Sequence, residues 1–233
     1  MTTNATPIVQ SEQSSSRCVV IATRSAGKLR ELTPWFAARG ICLETLDSAG
    51  LAETPEEAGL EVFDTFEDNA LAKARWFHAR SGRVVIAEDS GVAVDALDGA
   101  PGVYSKRWSN RPDLEGQALD DANNAHLLAM LEQARSAGRT TRSARYVCAA
   151  ACVWPGGERV ARGVSEGMIL ASPRGTGGFG YDPYFLSSDL GQTFAEVSRE
   201  AKATVSHRAR AFTALLKMLP ASLLTSANAD SSG

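Results

Sequence analysis

Residues 144–170 read ARYVCAAACVWPGGERVARGVSEGMIL. Two long strand-like runs, Ala144–Trp154 and Arg159–Leu170, flank a Pro-Gly-Gly turn, which predicts a long antiparallel hairpin. Upstream of it, strand and helix patterns alternate. Arg17–Thr23 (RCVVIAT) is a short β-branched run of the buried-strand type. Ser25–Arg39 carries Leu29, Leu32, Trp35 and Phe36 at helical spacing, with Gly40 just after it. ICLETL (41–46) suggests a second strand, and Glu53–Asp64 is acidic and irregular. Thr65-x-x-Asp68 then resembles a capping box heading a helix that runs to about Ala79. Arg83–Ala87 (RVVIA) is a buried strand ending at Glu88-Asp89-Ser90-Gly91, with Val92–Ala96 as a further short strand. Leu114–Ala137 reads as a long helix and Ser206–Leu219 as a final amphipathic one. A hairpin added to such alternation predicts an α/β fold: a mixed twisted sheet with flanking helices, in one elongated domain of two lobes with a cleft between them.

The composition agrees with one globular unit. Of 233 residues, 44% are hydrophobic and 22% charged, enough for a sizeable core. Residues 1–16 and 221–233 are polar and read as disordered tails around a catalytic domain at 17–220. A net charge of -3 argues against a nucleic-acid-binding surface, which would show a basic stripe. No apolar run is long enough for a bilayer, and the start lacks the basic and apolar regions of a secretory signal. A soluble, cytoplasmic protein without membrane partners is expected. Cys18, Cys42, Cys148 and Cys152 form no Cys-x-x-Cys pair and are expected to be buried small hydrophobes, not a disulfide framework or metal site.

Four segments carry chemistry. Ala22–Lys28 (ATRSAGK) lies between strand and helix, where free backbone N–H groups suit phosphate; Thr23 and Ser25 add hydroxyls and Lys28 a charge. It is not a Walker loop, because Ala22 stands at the first glycine and Leu29 at the magnesium-holding Ser/Thr. An ordinary helix start with a solvated lysine is the competing reading. Glu88-Asp89-Ser90-Gly91 closes a buried strand, where open α/β sheets bind ligands, and its hard oxygens suit magnesium; a solvated turn is the alternative. Glu53, Glu56 and Glu57 are candidates for a further ligand. GTGGFGYDPYFL (175–186) sets four glycines within six positions beside two aromatics, a composition no core strand or helix favours. KATVSHR (202–208) puts His207 at a helix start with Ser206 as its cap, although a solvated His-Arg pair would look the same. His78 and His126 fall inside helices as packing or surface residues.

In this order TRSAGK, TFEDNALAKA, IAEDSGVAVDALDGAPGVYS, GTGGFGYDP and SHR resemble the ITPase family, the inosine/xanthosine triphosphate pyrophosphatases, over residues 18–219. The resemblance implies magnesium-dependent hydrolysis of ITP, dITP and XTP between the α and β phosphates, giving monophosphate and pyrophosphate and keeping deaminated purines out of DNA and RNA. It implies that Thr23, Arg24, Ser25, Ala26, Gly27 and Lys28 hold the triphosphate, with Lys73 as a further phosphate partner. Asp89 becomes the catalytic carboxylate and a ligand of one Mg2+ per subunit, beside Glu88 and with Glu53 from the preceding loop; Ser90 touches substrate. Phe179 and Tyr181 would stack on the purine, Gly180 and Asp182 would belong to the same wall, and the glycines would let base and backbone approach closely. Lys202, Ser206, His207 and Arg208 would line the base edge.

Stacking holds any base, so selection falls to hydrogen bonds. Arg208 only donates: the 6-oxo group of hypoxanthine or xanthine satisfies it, whereas adenine's amino group leaves a buried donor unpaired at a cost of about 1–3 kcal/mol. Asp89, with an ordinary carboxylate pKa of about 4, is expected to act through proximity more than basicity. A homodimer is also implied, with Val103, Tyr104 and Trp108 as candidate contact residues. Two departures stand out: Ser25 replaces the usual Asn, and residues 59–65 (GLEVFDT) lengthen the spacing before the TFEDNA helix. The alternatives are a Maf-type nucleotide pyrophosphatase, whose arginine pair is missing from Thr23–Lys28, and a non-catalytic nucleotide sensor, against which the Glu88-Asp89 pair and Lys28 speak.

Overall fold

The computed structural model describes residues 18–224. Six strands form one sheet: β1 (Val19–Ala22), β2 (Leu43–Thr45), β3 (Val85–Val94), β4 (Ser143–Trp154), β5 (Gly157–Ile169) and β6 (Phe185–Ser187), in the order β2-β1-β3-β4-β5-β6. β2, β1 and β3 run parallel, and the remaining pairs are antiparallel. The helices are α1 (Ala26–Ala37), α2 (Phe66–Ser81), α3 (Gly116–Ser136), α4 (Arg199–Val205) and α5 (His207–Met218).

Alternation along β1 explains the layering. Val19 and Ile21 point into a cluster with Trp35 and Phe36 of α1 and Phe212 and Leu215 of α5. Val20 and Ala22 point the other way, against Phe66, Ala70 and Phe77 of α2. With apolar layers on both faces the central strands must be apolar throughout, and Tyr146–Val153 of β4 are all buried. β3 and β4 then run on into a second lobe. There Val92, Val94, Tyr146, Phe185 and Phe194 pack with Leu127 and Leu131 of α3.

Several expectations change. The segment 83–96 is not two strands: β3 runs unbroken through Glu88-Asp89-Ser90-Gly91, which pair with Ala150, Ala149, Cys148 and Val147 of β4. Gly91 permits this, since a Cβ there would lie 2.3 Å from the Gly102 carbonyl oxygen. β6 and α4 were not anticipated. Ala221–Leu223 form a 3-10 turn and Leu224 packs on the first cluster, so residues 221–224 are part of the fold; the rest of the two expected tails lies outside the described residues, which exclude 1–17 and 225–233.

The cysteine expectation holds for Cys148 and Cys152, which are buried and free, but Cys18 and Cys42 form a disulfide. The parallel register Val19↔Leu43 sets the two preceding residues side by side, with Cα atoms 4.6 Å apart. Only strand pairing brings them together. No helix among the described residues is long and apolar enough to cross a membrane.

Candidate active site

The cleft between the lobes encloses about 820 Å³ and is lined by every segment singled out from the sequence: Thr23–Lys28, Asp89 and Ser90, Phe179–Asp182, and Lys202, His207 and Arg208. β1 ends at Ala22, and the chain turns into α1 with Ser25 as N-cap, its hydroxyl accepting the Lys28 N–H at 3.4 Å. The N–H groups of the first helical turn point toward the cleft end of the sheet, as an anion site requires. Ser25 therefore spends its oxygen on capping. Arg24 reaches away from that turn: its guanidinium donates to Asp47 (2.7 Å), Glu57 (2.8 Å) and the Leu51 carbonyl (2.8 Å), tying the phosphate loop to the acidic segment instead of presenting a free charge.

Glu88 is corrected as a metal ligand. It is wholly buried beneath the cleft, with Lys28 Nζ at 2.8 Å and Arg208 Nε at 3.4 Å from Oε1. Burial pushes its carboxyl up, but Lys28 and Arg208 outweigh burial and hold it well below the usual carboxylate range. Its role is to anchor two cations. Its neighbour on β3 points to the opposite face, and Asp89 reaches the cleft.

Asp89 accepts the Ser90 N–H and the Asn69 Nδ2–H, each at 2.9 Å. Burial pushes its carboxyl up to about 6, and Glu61 adds repulsion against the opposing pull of Lys28 and Lys73. It is a better base than an ordinary carboxylate, contrary to expectation. Glu61, not Glu53, is the loop acid acting on it: Glu61 pairs with Lys73, which also donates to the Glu88 carbonyl at 3.0 Å. Glu53 stays on the exposed rim of the cleft, beside Arg24. Glu61 sits in the lengthened 59–65 segment. Asn69 fixes that segment through both the N–H (2.9 Å) and the carbonyl (3.1 Å) of Phe63. A buried polar residue inside the TFEDNA helix was the one available signal.

Beside the same helix, Lys202 Nζ donates to Asp182 (2.6 Å) and to Glu31 of α1 (2.7 Å). Arg208 donates to Glu31 and to Ser90 Oγ (3.1 Å). Glu31, one turn beyond Lys28 on α1, was missed because its partners lie more than 170 residues away. Three of the five Arg208 N–H groups are engaged by Glu88, Glu31 and Ser90, leaving two. His207 stacks on Tyr146 with ring centroids 4.5 Å apart. Burial, with Arg208 and Lys202 adding to it, drives the His207 ring well below its ordinary pKa, so it is neutral at pH 7. Its Nδ1 is buried and has no partner. An orphaned polar atom at a cleft is a contact awaiting a ligand.

The aromatic wall is narrower than expected. Tyr181 packs into the second lobe's core and donates to the Ser105 carbonyl at 2.7 Å. The half-buried Phe179 is left as the accessible ring, with Lys202 Nζ 5.2 Å from its centroid. The glycines around it answer to the protein's own packing: a Cβ on Gly175 would lie 2.4 Å from the Ala195 backbone carbonyl, and one on Gly178, at φ +74°, 2.1 Å from the Asp182 side-chain Oδ2.

A cationic helix start, a carboxylate, an accessible aromatic ring and an unpartnered buried ring nitrogen sharing one cleft define a class: an α/β protein with a site for a phosphorylated aromatic ligand. The particular family follows. The chain belongs to the Ham1 family, whose model matches residues 19–218. It is similar to the dITP/XTP pyrophosphatase of Geobacter sulfurreducens, with 47% identity over 85% of this chain and 94% of the relative. With the dITP/XTP pyrophosphatase of Nitratidesulfovibrio vulgaris it shares 43% identity over 87% and 96%. Among solved structures, a HAM1 protein from Coxiella burnetii superimposes with a TM-score of 0.72 at 30% identity, covering 86% of this chain and 96% of that one. A nucleoside-triphosphatase / dITP/XTP pyrophosphatase from Mycobacterium abscessus gives a TM-score of 0.62 at 40% identity, with 87% and 98% covered.

Proposed function

We propose that this protein hydrolyses deaminated purine nucleoside triphosphates (ITP, dITP and XTP) to the monophosphate and pyrophosphate. The observation that carries the reading is one cleft lined together by the Lys28 helix start, Asp89, Phe179, His207 and Arg208. That lining suits one nucleotide, with its triphosphate on the α1 helix start and its base against Phe179, His207 and Arg208. Lys28 and the α1 N–H groups bind phosphate oxygens. Asp89 takes the proton of the attacking water, a task its raised pKa favours. On the base side the two free N–H groups of Arg208 meet a 6-oxo acceptor, and the orphaned His207 Nδ1 finds a partner. A 6-amino group would leave the arginine unpaired, so ATP is rejected.

Magnesium fits the donor set. Among the described residues no group of three or more His, Cys, Asp or Glu is arranged to hold an ion. The hard carboxylates of Asp89 and Glu61 suit a cation that takes one or two protein ligands and completes its octahedron with phosphate and water. When bound, it supplies charge neutralisation on the phosphates and a more acidic water. A homodimer belongs to the same reading. Val62, Phe63 and Tyr104 offer exposed apolar surface on neighbouring segments, and sedimentation would give the mass.

The test is a panel of ITP, XTP, GTP and ATP with magnesium, with pyrophosphate and orthophosphate separated. Rapid pyrophosphate release from ITP and XTP and slow release from ATP are expected. Equal turnover of ATP, or orthophosphate as the direct product, would refute the proposal.

A further inference from the structure

Phe179 presents its ring to the cleft from a loop rich in glycine. Its backbone is fixed from both sides. Within the loop, Asp182 Oδ2 accepts the Phe179 N–H at 3.0 Å, and the Phe179 carbonyl accepts the Asp182 N–H at 3.2 Å. From across the second lobe, α3 seizes the next residue. Asp120 Oδ2 accepts the Gly180 N–H at 2.7 Å, and Asn124 Nδ2 donates to the Gly180 carbonyl at 2.9 Å. Asp120 and Asn124 are four residues apart, so one helical face supplies both partners. Gly180 sits at φ +61°, which glycine adopts without steric cost but has no intrinsic reason to keep, so its partners on α3 select it from a freely moving backbone.

We propose that Asp120 and Asn124 are positioning residues for base recognition, clamping both peptide groups of Gly180 so that the Phe179 ring is held over the base site. This rests on the nucleotide reading above. Packing alone does not account for the pair. Asn124 keeps its Oδ1 buried with no partner, and the Asp120 carboxyl is raised by burial and by the nearby charge of Asp182. An apolar residue would fill either place without those costs. The adjacent Asn123 ties the same helix to the segment after β3, accepting the Ser109 N–H (2.8 Å) and donating to the Lys106 carbonyl (3.0 Å). α3 thus braces the base wall and the Asp89 strand's continuation together.

The experiment measures kcat and KM for ITP and for ATP in the wild-type protein and in Asp120→Ala, Asp120→Asn and Asn124→Ser, with thermal midpoints alongside. Loss of one clamping bond is expected to raise KM for ITP about tenfold with kcat little changed, and, because a base no longer held by the ring drifts from the Arg208 donors that select it, to lower the ITP-over-ATP preference. Asp120→Asn keeps an acceptor oxygen for the Gly180 N–H and is expected to stay near wild type. The clamp is overturned if Asp120→Ala keeps the wild-type KM, if it loses stability with its preference intact, or if Asp120→Asn is as impaired as Asp120→Ala. Should Asp120→Ala fail to fold, Asn124→Ser decides by the same criteria. A wild-type protein with no preference for ITP defeats the nucleotide reading itself, and the clamp with it.

Discussion

Asp89 sits in an environment that its sequence neighbours do not reveal. Its folded pKa, about 6, lies above the ordinary aspartate value of 3.8 because burial disfavours the charge. A raised pKa means that the folded state binds the proton more tightly than the unfolded state. Relative to a non-titrating residue, the stability it contributes is complete below about pH 4 and is lost as pH rises through 6. In EDTA, Asp89→Asn should therefore gain unfolding free energy relative to wild type, measured by urea titration, as the buffer moves from pH 4 to 7, by up to about 3 kcal/mol. A difference independent of pH would mean that Asp89 titrates normally. At the facing wall, a Cβ on Gly27 would come within 3.0 Å of the Phe179 ring, tight enough that the ring must shift. Gly27→Ala should raise KM for ITP several-fold with the thermal midpoint almost unchanged. Titration calorimetry with a non-hydrolysed analogue, showing unaltered affinity, would contradict this.

At the scale of elements, the sites lie where α1, α5 and β3 meet, and α5 depends on a contact with no side chain in it. A Cβ on Gly163 of β5 would lie 2.2 Å from the His207 carbonyl oxygen and 2.3 Å from the Ala211 nitrogen, so strand and helix backbones touch. Gly163→Ala has nowhere to relax and should cost more than loss of the Ser206 cap. That cap bonds the Ala209 N–H at 3.2 Å and is worth about 1 kcal/mol. Urea unfolding of Gly163→Ala and Ser206→Ala side by side checks the order. These elements were largely legible. The hairpin, the capping signals of Thr65 and Ser206, and the β-branched β1 follow from local periodicity. What was not legible is pairing across the chain: the Cys18–Cys42 bridge, Glu31 beneath Lys202, the continuity of β3 through EDSG, and Glu61 beside Asp89. Each depends on which residues a register or a loop path brings together, and no local pattern encodes that.

Across the whole molecule the two lobes share their long strands, and the joint between them is charged rather than oily. Lys28 and Glu31 of α1, Glu88 of β3, Asp182 of the glycine loop, Lys202 of α4 and Arg208 of α5 form a linked set of three cations and three carboxylates. Burying such a set is expensive unless every charge is matched, and each is. The cleft thereby keeps two cations in fixed places near the substrate, which neither a solvated lysine nor a mobile arginine would provide. Among the described residues Glu88 is the only carboxylate ion-paired with Lys28, and it has no exposure to solvent. Glu88→Gln should therefore destabilise the protein by about 3–5 kcal/mol, the usual cost of stranding a buried charge. Lys28→Met combined with Glu88→Gln should be less unstable than the sum of the two single variants, because the stranded cation is gone. Pyrophosphate should restore part of the thermal midpoint of Glu88→Gln, since an anion at the helix start gives Lys28 a partner, and should do little for the double variant. Additive single and double variants would show that the Lys28–Glu88 pair carries no coupling, and that the joint is held by the flanking apolar clusters instead.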